Sequence, residues 1–490
     1  EHSESKVVIV ENKSQLKKIE EVKKNLPALQ KIISFEKISA DILYFKKLTQ
    51  TGDFDSVYFK KRVHSIPFDQ LATIVYTSGT TGQPKGVMLT HQNLSSEVDA
   101  LQQYFKFDSS QESLIFLPLA HILARAVQFV QLSVGFVQFY AESIDKLIEN
   151  IKEVKPHFMA CVPRIFEKIY SKIMHDVESS SLIKKGLFHW AVNVGTQISR
   201  SKQLRKDPAI TDVLQNYVAQ LLVFSKLQER LGGRIQFFIS GGAPLSKEIA
   251  EFFHAANILI LEGYGLTETC AAVNCNRPNA YQFGSVGKIV SHIEEKIAPD
   301  GEILVKGGHV FKGYYKNEEA TREAFTADGF FKTGDIGEFD EEGFLKITDR
   351  KKDIIVTAAG KNIAPQYIEN ILKTDPLISQ VMVHGDRRKF LSALITLNPE
   401  EVKALSKSLQ VDASDYSNFV KNKKIIEYVH KKIEDKNRQL ASYESIKKFA
   451  ILDIDFTVEG GELTPTLKVK RKLLTERYKG LLDSFYQDHS

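Results

Sequence analysis

The run Tyr76-Thr77-Ser78-Gly79-Thr80-Thr81-Gly82-Gln83-Pro84-Lys85-Gly86-Val87 gathers hydroxyls, glycines and one lysine. That mixture suits a polyphosphate. Glycine lets backbone N–H groups approach phosphate oxygens, Ser and Thr hydroxyls add donors, and Lys85 adds positive charge. The ordinary ATPase loop ends Gly-Lys-Ser/Thr where a helix begins, whereas here Pro84 precedes the lysine and Gly86 follows it. A Gly/Ser/Thr-rich turn with no ligand has the same composition, and this segment alone does not separate the two readings.

Five further stretches carry groups of the right kind. Ser240-Gly241-Gly242-Ala243-Pro244-Leu245 puts two glycines after a strand-like run, where a flat ligand could lie against backbone or the chain could simply turn. In Glu262-Gly263-Tyr264-Gly265-Leu266-Thr267-Glu268-Thr269 an aromatic between glycines could stack on a base, and Glu268 could hold Mg²⁺ through oxygen. A buried tyrosine and a helix cap would use the same residues. Phe331-Lys332-Thr333-Gly334-Asp335-Ile336-Gly337 sets Asp335 after a tight turn, able to accept ribose hydroxyls or to serve the turn itself. Arg350, in Thr348-Asp349-Arg350-Lys351-Lys352-Asp353, could donate to the same ribose or be solvated. Leu463-Thr464-Pro465-Thr466-Leu467-Lys468-Val469-Lys470-Arg471 carries Lys468 on a late loop, or is a basic surface tail.

Elements able to position these groups are legible in the hydrophobic pattern. Val7-Val8-Ile9-Val10, Thr73-Ile74-Val75-Tyr76 and Ile235-Gln236-Phe237-Phe238-Ile239 alternate with helical patterns, as in parallel α/β sheets with helices on both faces. From Val162 to about Gly232 the pattern is helical, and Ile165, Ile169, Ile173, Val213, Tyr217 and Leu221 are expected in the core. Residues of about 275–348 have the short strands and glycine turns of a β-rich subdomain. The charged stretch Asp349 to Asp353 is the linker candidate, and residues 354–490 follow it with strands and helices of their own.

At 490 residues and 43% apolar content the chain can fill more than one core. Sixty-six basic against 61 acidic residues leave a formal charge of +5, too slight over this length to argue for nucleic acid. Lys184, Lys185, Arg200, Lys202, Arg205 and Lys206 cluster, as do Lys468, Lys470, Arg471 and Lys472; such groups serve phosphates, anionic lipid surfaces or plain solvated faces. Cys161, Cys270 and Cys275 form neither a disulfide framework nor a zinc spacing, which suits a reducing compartment. The first residues have no apolar signal core, and the longest uncharged stretch, Ala126 to Ala141, is too short to span a bilayer. A cytoplasmic protein is expected, with peripheral membrane contact open and the oligomeric state unspecified.

Taken together and in this order, the stretches resemble an acyl-CoA synthetase of the adenylate-forming superfamily over nearly the whole chain. Val162-Pro163-Arg164-Ile165-Phe166-Glu167-Lys168, Leu231-Gly232-Gly233-Arg234 and the helical stretch between them resemble its long-chain fatty acid branch. The resemblance implies an α/β fold: a large N-terminal domain, 1–350, of parallel α/β sheets with a β-rich subdomain, and a small mobile α+β C-terminal domain, 351–490. It implies ATP-dependent activation of a long-chain fatty acid to an acyl-adenylate, then transfer to coenzyme A, with Mg²⁺ present.

By the same resemblance Thr77, Ser78, Gly79, Thr80, Thr81, Gly82 and Lys85 would hold the triphosphate, and Thr80 and Glu268 would place Mg²⁺. Gly241, Gly242 and Ala243 would lie beside the base and the acyl entrance. Tyr264 would stack on adenine, with Gly265 and Thr267 in the same segment. Asp335 and Arg350 would grip ribose, and Lys468 would bridge the carboxylate and α-phosphate. His121 matches a position near the acyl carboxylate, although a lone histidine beside apolar residues also reads as core. Lys352 matches the hinge, and Gly360 the loop that lines the coenzyme A path. The phosphate loop begins nearer the start than in family members, so part of the first subdomain is expected to be missing. Two alternatives stay open: an acyl-AMP ligase that loads a carrier protein's phosphopantetheine thiol, and a non-catalytic acyl- or nucleotide-binding protein.

Overall fold

Branched and aromatic runs become strands because such side chains pack well on a pleated surface. In the computed structural model, which describes residues 1–39, 41–50, 52, 55–77, 84–358, 360–464 and 467–487, these runs belong to two units, 1–70 and 71–490. In the first unit Val7–Val10, Lys31–Ser34 and Leu43–Tyr44 pair in parallel. The helix Lys13–Val22 packs Leu16 with Val10 and Ile32, and the Asn12 side chain caps it by accepting from the Gln15 N–H.

The second unit is organised by a seven-stranded sheet in the order Lys288–Ile289, Asn274–Cys275, Ile260–Tyr264, Phe237–Ser240, Phe158–Cys161, Glu112–Ile115, Val137–Tyr140. Ile260–Tyr264 onward are parallel, and the two short strands before it close that edge antiparallel. Phe158, Met159, Ala160 and Cys161 are all buried in succession, so both faces of the sheet are covered. Phe136, Phe166 and Phe253 are fully buried in the same core.

The strand run before the phosphate loop departs from expectation. Leu71–Thr77 joins no parallel sheet; it pairs antiparallel with Lys85–Thr90, Thr77 opposite Lys85. Strands separated by so few residues can pair only antiparallel, because a parallel crossover needs about a dozen residues or more. The helical stretch departs too. Val213, Tyr217 and Leu221, expected in the core, are exposed on and just beyond the helix Ile210–Ala219. Ala219 and Phe224 face the core instead, and beside them Gln220 donates to the Ala255 carbonyl at 2.9 Å.

The β-rich subdomain is a four-stranded antiparallel sheet of Ile293–Ile297, Glu302–Gly307, Phe331–Phe339 and Leu345–Arg350. Its last strand takes in Asp349 and Arg350, so the expected linker shrinks to the turn at Lys351 to Asp353. There the Asp353 and Ile354 N–H groups donate to the Arg350 carbonyl at 2.9 and 3.0 Å. Asp349 is buried and accepts from the Gln366 N–H at 3.3 Å, and burial raises its pKa to about 7.

Beyond the turn, Ile378–His384, Leu391–Leu397 and Ile446–Ile451 form a sheet with its own core. The helices Pro365–Leu372 and Lys423–Asn437 supply Ile368, Leu372, Ile425, Val429 and Ile433 to it. Arg471 is no part of a solvated basic tail. It is half-buried and donates through both terminal nitrogens to Glu369, 2.8 Å each, a bidentate pin inside this portion. Cys161, Cys270 and Cys275 are buried free thiols, and no helix among the described residues is long and apolar enough to cross a membrane.

Candidate active site

At the carboxyl ends of the central strands the backbone opens into a cavity of ≈ 580 Å³. That edge is where open parallel sheets place ligands. Phe237–Ser240 runs into Gly241, whose N–H donates to the Cys161 carbonyl at 3.1 Å, and Gly242, held at φ +86°. Ile260–Tyr264 runs into Gly265, where a Cβ would stand 1.2 Å from the Ala271 carbonyl oxygen, so no other residue fits. The tight turn that follows is closed by the Leu266 N–H donating to Thr269 Oγ1 at 2.8 Å, and it presents Thr267 and Glu268 to the cavity.

Asp335 and Arg350 face each other in register on neighbouring antiparallel strands. Asp335 Oδ2 accepts from the Tyr264 hydroxyl at 2.8 Å, and Oδ1 lies 3.1 Å from Arg350 Nε. The turn before Asp335 is pinned as well. Gly334, at φ +74°, donates its N–H to Glu302 at 2.9 Å, and Thr333 Oγ1 accepts from the Asp335 N–H at 3.1 Å. Burial pushes the Asp335 carboxyl up, with Arg350 and the Tyr264 hydroxyl pulling it back. Burial, then the Asp335 charge, pushes Tyr264 well above the usual phenol range, so it stays a donor. A carboxylate has about four acceptor positions, which leaves Asp335 capacity for further hydroxyls.

Lys468 reaches the same cavity from the late loop. Leu463 and Val469 bridge its base, the Lys468 N–H donates to Thr464 Oγ1 at 3.0 Å, and Leu467, at φ +61°, packs against the central core. Burial, and then the Arg350 guanidinium, bring the Lys468 pKa down to about 8, against the pull of Asp335 and Asp353. His121 is lowered by burial and by the Lys468 charge, so its imidazole is neutral beside that ammonium. Two cations in a poorly hydrated cleft make a place that an incoming pair of anions would stabilise.

Tyr314 is a site residue that the sequence did not reveal. Its hydroxyl donates to Glu268 Oε1 at 2.9 Å, and Lys85 Nζ sits 4.8 Å over its ring. It is brought there because Gly313–Tyr314 pairs with the strand Lys85–Thr90. No cluster of three or more His, Cys, Asp or Glu side chains among the described residues could hold a metal. Glu268 nevertheless fits Mg²⁺, which takes one or two carboxylates together with water and substrate phosphates rather than a full protein cage.

Of the residues singled out from sequence, Thr77, Lys85, His121, Gly241, Gly242, Tyr264, Gly265, Thr267, Glu268, Arg350, Lys352 and Lys468 line the cavity. Asp335 stands behind Tyr264 and Arg350. The structure does not bring Ala243 or the exposed Gly360 to the cavity wall. Ser78, Gly79, Thr80, Thr81 and Gly82 lie outside the described residues. An apolar set of Leu101, Phe105, Ile122, Leu123, Ala126, Val127 and Ile239 also lines the cavity. Spread over separate helices and a strand, it carried no sequence signal.

The portion bearing Lys468 is fastened to the helix Pro163–Glu178. Arg164 donates to the Ser379 carbonyl and hydroxyl, Lys373 Nζ donates to Glu167 at 3.0 Å, and His175 meets Glu401 at 2.5 Å. Burial works to raise the Glu167 pKa, yet Lys373 and Arg164 together hold it below the usual carboxylate range.

The family model described as AMP-binding enzyme matches residues 1–315, and that described as AMP-binding enzyme C-terminal domain matches residues 352–490. The chain is 38% identical to the long-chain-fatty-acid–CoA ligase FadD15 of Mycobacterium bovis over 488 residues, 99% of this chain and 80% of that protein. It is 35% identical to the long-chain-fatty-acid–CoA ligase ACSBG2 of Xenopus laevis over 526 aligned positions, 100% of this chain and 71% of that one. Among solved structures it resembles the adenylation domain of a carboxylate reductase from Mycobacterium chelonae, with a TM-score of 0.72 at 23% identity. That match covers 99% of this chain and 73% of the other, and shows the shared fold.

Proposed function

The chain belongs to the AMP-binding enzyme family, and from that premise we propose that it is an AMP-forming long-chain fatty acid:CoA ligase. A fatty acid carboxylate oxygen attacks the α-phosphorus of ATP, and pyrophosphate leaves. The thiol of coenzyme A then attacks the acyl carbonyl, forming the thioester and releasing AMP. The observation that carries this reading is the gathering of Lys468, Arg350 and Tyr264, with Asp335 behind them, at one cavity that apolar side chains also line.

In the first step a carboxylate and a phosphate must approach, so catalysis is chiefly charge neutralisation and positioning. Lys468 supplies the bridging cation, Arg350 and Asp335 hold the ribose, and Tyr264 offers its ring to adenine. Lys85 and Thr77 border the phosphates. Glu268 would hold Mg²⁺, which would neutralise phosphate charge. The apolar lining takes the acyl chain and His121 borders its carboxylate. For the second step the portion after Arg350 turns about Lys352, Lys468 leaves, and the loop at Gly360 moves in to line the thiol's path.

Pyrophosphate release from ATP and Mg²⁺, measured over fatty acids of increasing length, tests the first step. Acyl-CoA appearing only when free coenzyme A is added supports the whole reading. Pyrophosphate release without acyl-CoA, but with acylation of a carrier protein, points to the other acceptor. Nucleotide binding with no turnover overturns the enzyme.

A further inference from the structure

The helix Ile210–Ala219 and the turn after it carry an apolar stripe on their exposed side. Ile210, Leu214, Tyr217 and Leu221 recur at helical spacing and are 82%, 64%, 65% and 57% exposed. The side turned to the protein sets Ala219 and Phe224 in the core and adds amide hydrogen bonds. Gln220 donates to Asn216 at 3.3 Å and to the Ala255 carbonyl, and Gln228 donates to Gln220 at 2.9 Å and to the Ala256 carbonyl at 2.8 Å. Scattered apolar residues on a surface need no explanation, but a continuous stripe fastened outward by amide hydrogen bonds is a contact surface. The adjoining helix Leu182–Gln203 begins with Leu182 and Ile183, each 85% exposed.

Charge decides what covers it. Between positions 182 and 222 the chain has Lys184, Lys185, Arg200, Lys202, Arg205 and Lys206 against Asp207 and Asp212. Lys185 pairs with Glu178 at 2.9 Å, while Arg200, Lys202, Arg205 and Lys206 are exposed just where the chain turns toward Ile210. In a two-fold contact between copies this surface would meet itself, basic group against basic group. An anionic lipid surface meets it with the opposite charge, and its acyl region accepts the apolar stripe. Basic residues beside Leu, Ile and Tyr are how a helix lies in a bilayer interface without crossing it.

We propose that residues 182–222 form a membrane-docking face that lays the Ile210–Leu221 stripe into the interface of an anionic bilayer. The apolar contact and the basic turn act together. Neither depends on the chemistry of the active site, so the surface can be tested without turnover.

The test is cosedimentation of the full chain with vesicles of phosphatidylcholine alone or with about a third phosphatidylglycerol, at low and high salt. The parent protein sediments with the anionic vesicles and less so in high salt. The triple variant Leu214→Ser, Tyr217→Ser, Leu221→Ser, which alters only exposed side chains, lowers that binding at least about tenfold. Arg205→Glu with Lys206→Glu lowers binding to anionic vesicles to the level on phosphatidylcholine alone. A parent that stays in the supernatant with both vesicles overturns the proposal, as does a triple variant that binds like the parent. So does sedimentation velocity showing a dimer that the triple variant abolishes, which would assign the face to a second copy.

Discussion

The guanidinium of Arg164 grips Ser379 twice, donating to its carbonyl and to its hydroxyl at 2.8 Å each across 215 residues of sequence. Beside that grip Glu167 accepts from both Arg164, at 3.2 Å, and Lys373. These bonds fasten the Lys468-bearing portion in the pose that presents its ammonium to the cavity. Arg164→Ala removes the grip and leaves Glu167 with one cation, a loss on the order of 1.5–3 kcal/mol for charged hydrogen bonds. Adenylate formation, followed by pyrophosphate exchange, is expected to fall about ten- to a hundredfold. Thioester formation from supplied acyl-adenylate keeps its rate. Equal loss in both steps would show that the grip serves folding instead.

Lys468→Ala is expected to abolish adenylate formation while sparing the thioester step. The pH dependence sharpens this. Burial and Arg350 lower the Lys468 pKa to about 8, so the free enzyme carries the ammonium below that pH and loses it above. Since kcat/KM reports the free enzyme, its value for adenylation falls as pH rises through about 8. Lys468→Arg keeps a cation throughout and removes that limb. Stability runs the other way: the unfolded lysine holds its proton up to its ordinary value of 10.5, so the cost of burying the charge fades between about 8 and 10.5. A pH profile shared by parent and Lys468→Arg would assign the limb to another group.

Asp335→Asn keeps the shape but removes the charge that Arg350 and the Tyr264 hydroxyl share. The KM for ATP is expected to rise about ten- to a hundredfold, from the loss of on the order of 1.5–3 kcal/mol. Tyr264→Phe, which leaves Asp335 with Arg350 alone, gives a smaller rise. Unchanged ATP dependence in Asp335→Asn would leave the aspartate as turn chemistry.

Lys352→Pro is expected to leave adenylation near the parent rate and to block thioester formation. Proline fixes φ near −65° and restricts the residue before it, holding in one state a turn that has to adopt two. Thioester yield from isolated acyl-adenylate is the measurement. Parental yield would move the hinge elsewhere, and loss of both steps would mark a damaged fold.

Each short run of site residues alone read equally as a turn, a cap or a basic tail, and only their order along the chain pointed to one site; Gly265, Gly334 and Lys468, far apart in sequence, do line one cavity. The β-rich sheet was legible from its own turns. What escaped was tertiary. Tyr314 reaches Glu268 only because its strand pairs with Lys85–Thr90. Leu71–Thr77 reads alone like a strand of a parallel sheet and is turned antiparallel by its near neighbour. Periodicity placed Tyr217 and Leu221 on one helical face but carries no sign saying which face looks inward; the amides of Gln220 and Gln228 settle that.

The central sheet also sets an order in time. Phe158 pairs with Phe237, and the whole helical stretch lies between them. Helices of that stretch can form within about a microsecond from neighbours in sequence, whereas the parallel ladder repays its loop-closure entropy only once both distant strands arrive. The floor beneath Gly241 and Tyr264 is therefore expected to close late in folding, after the helices between its strands have formed.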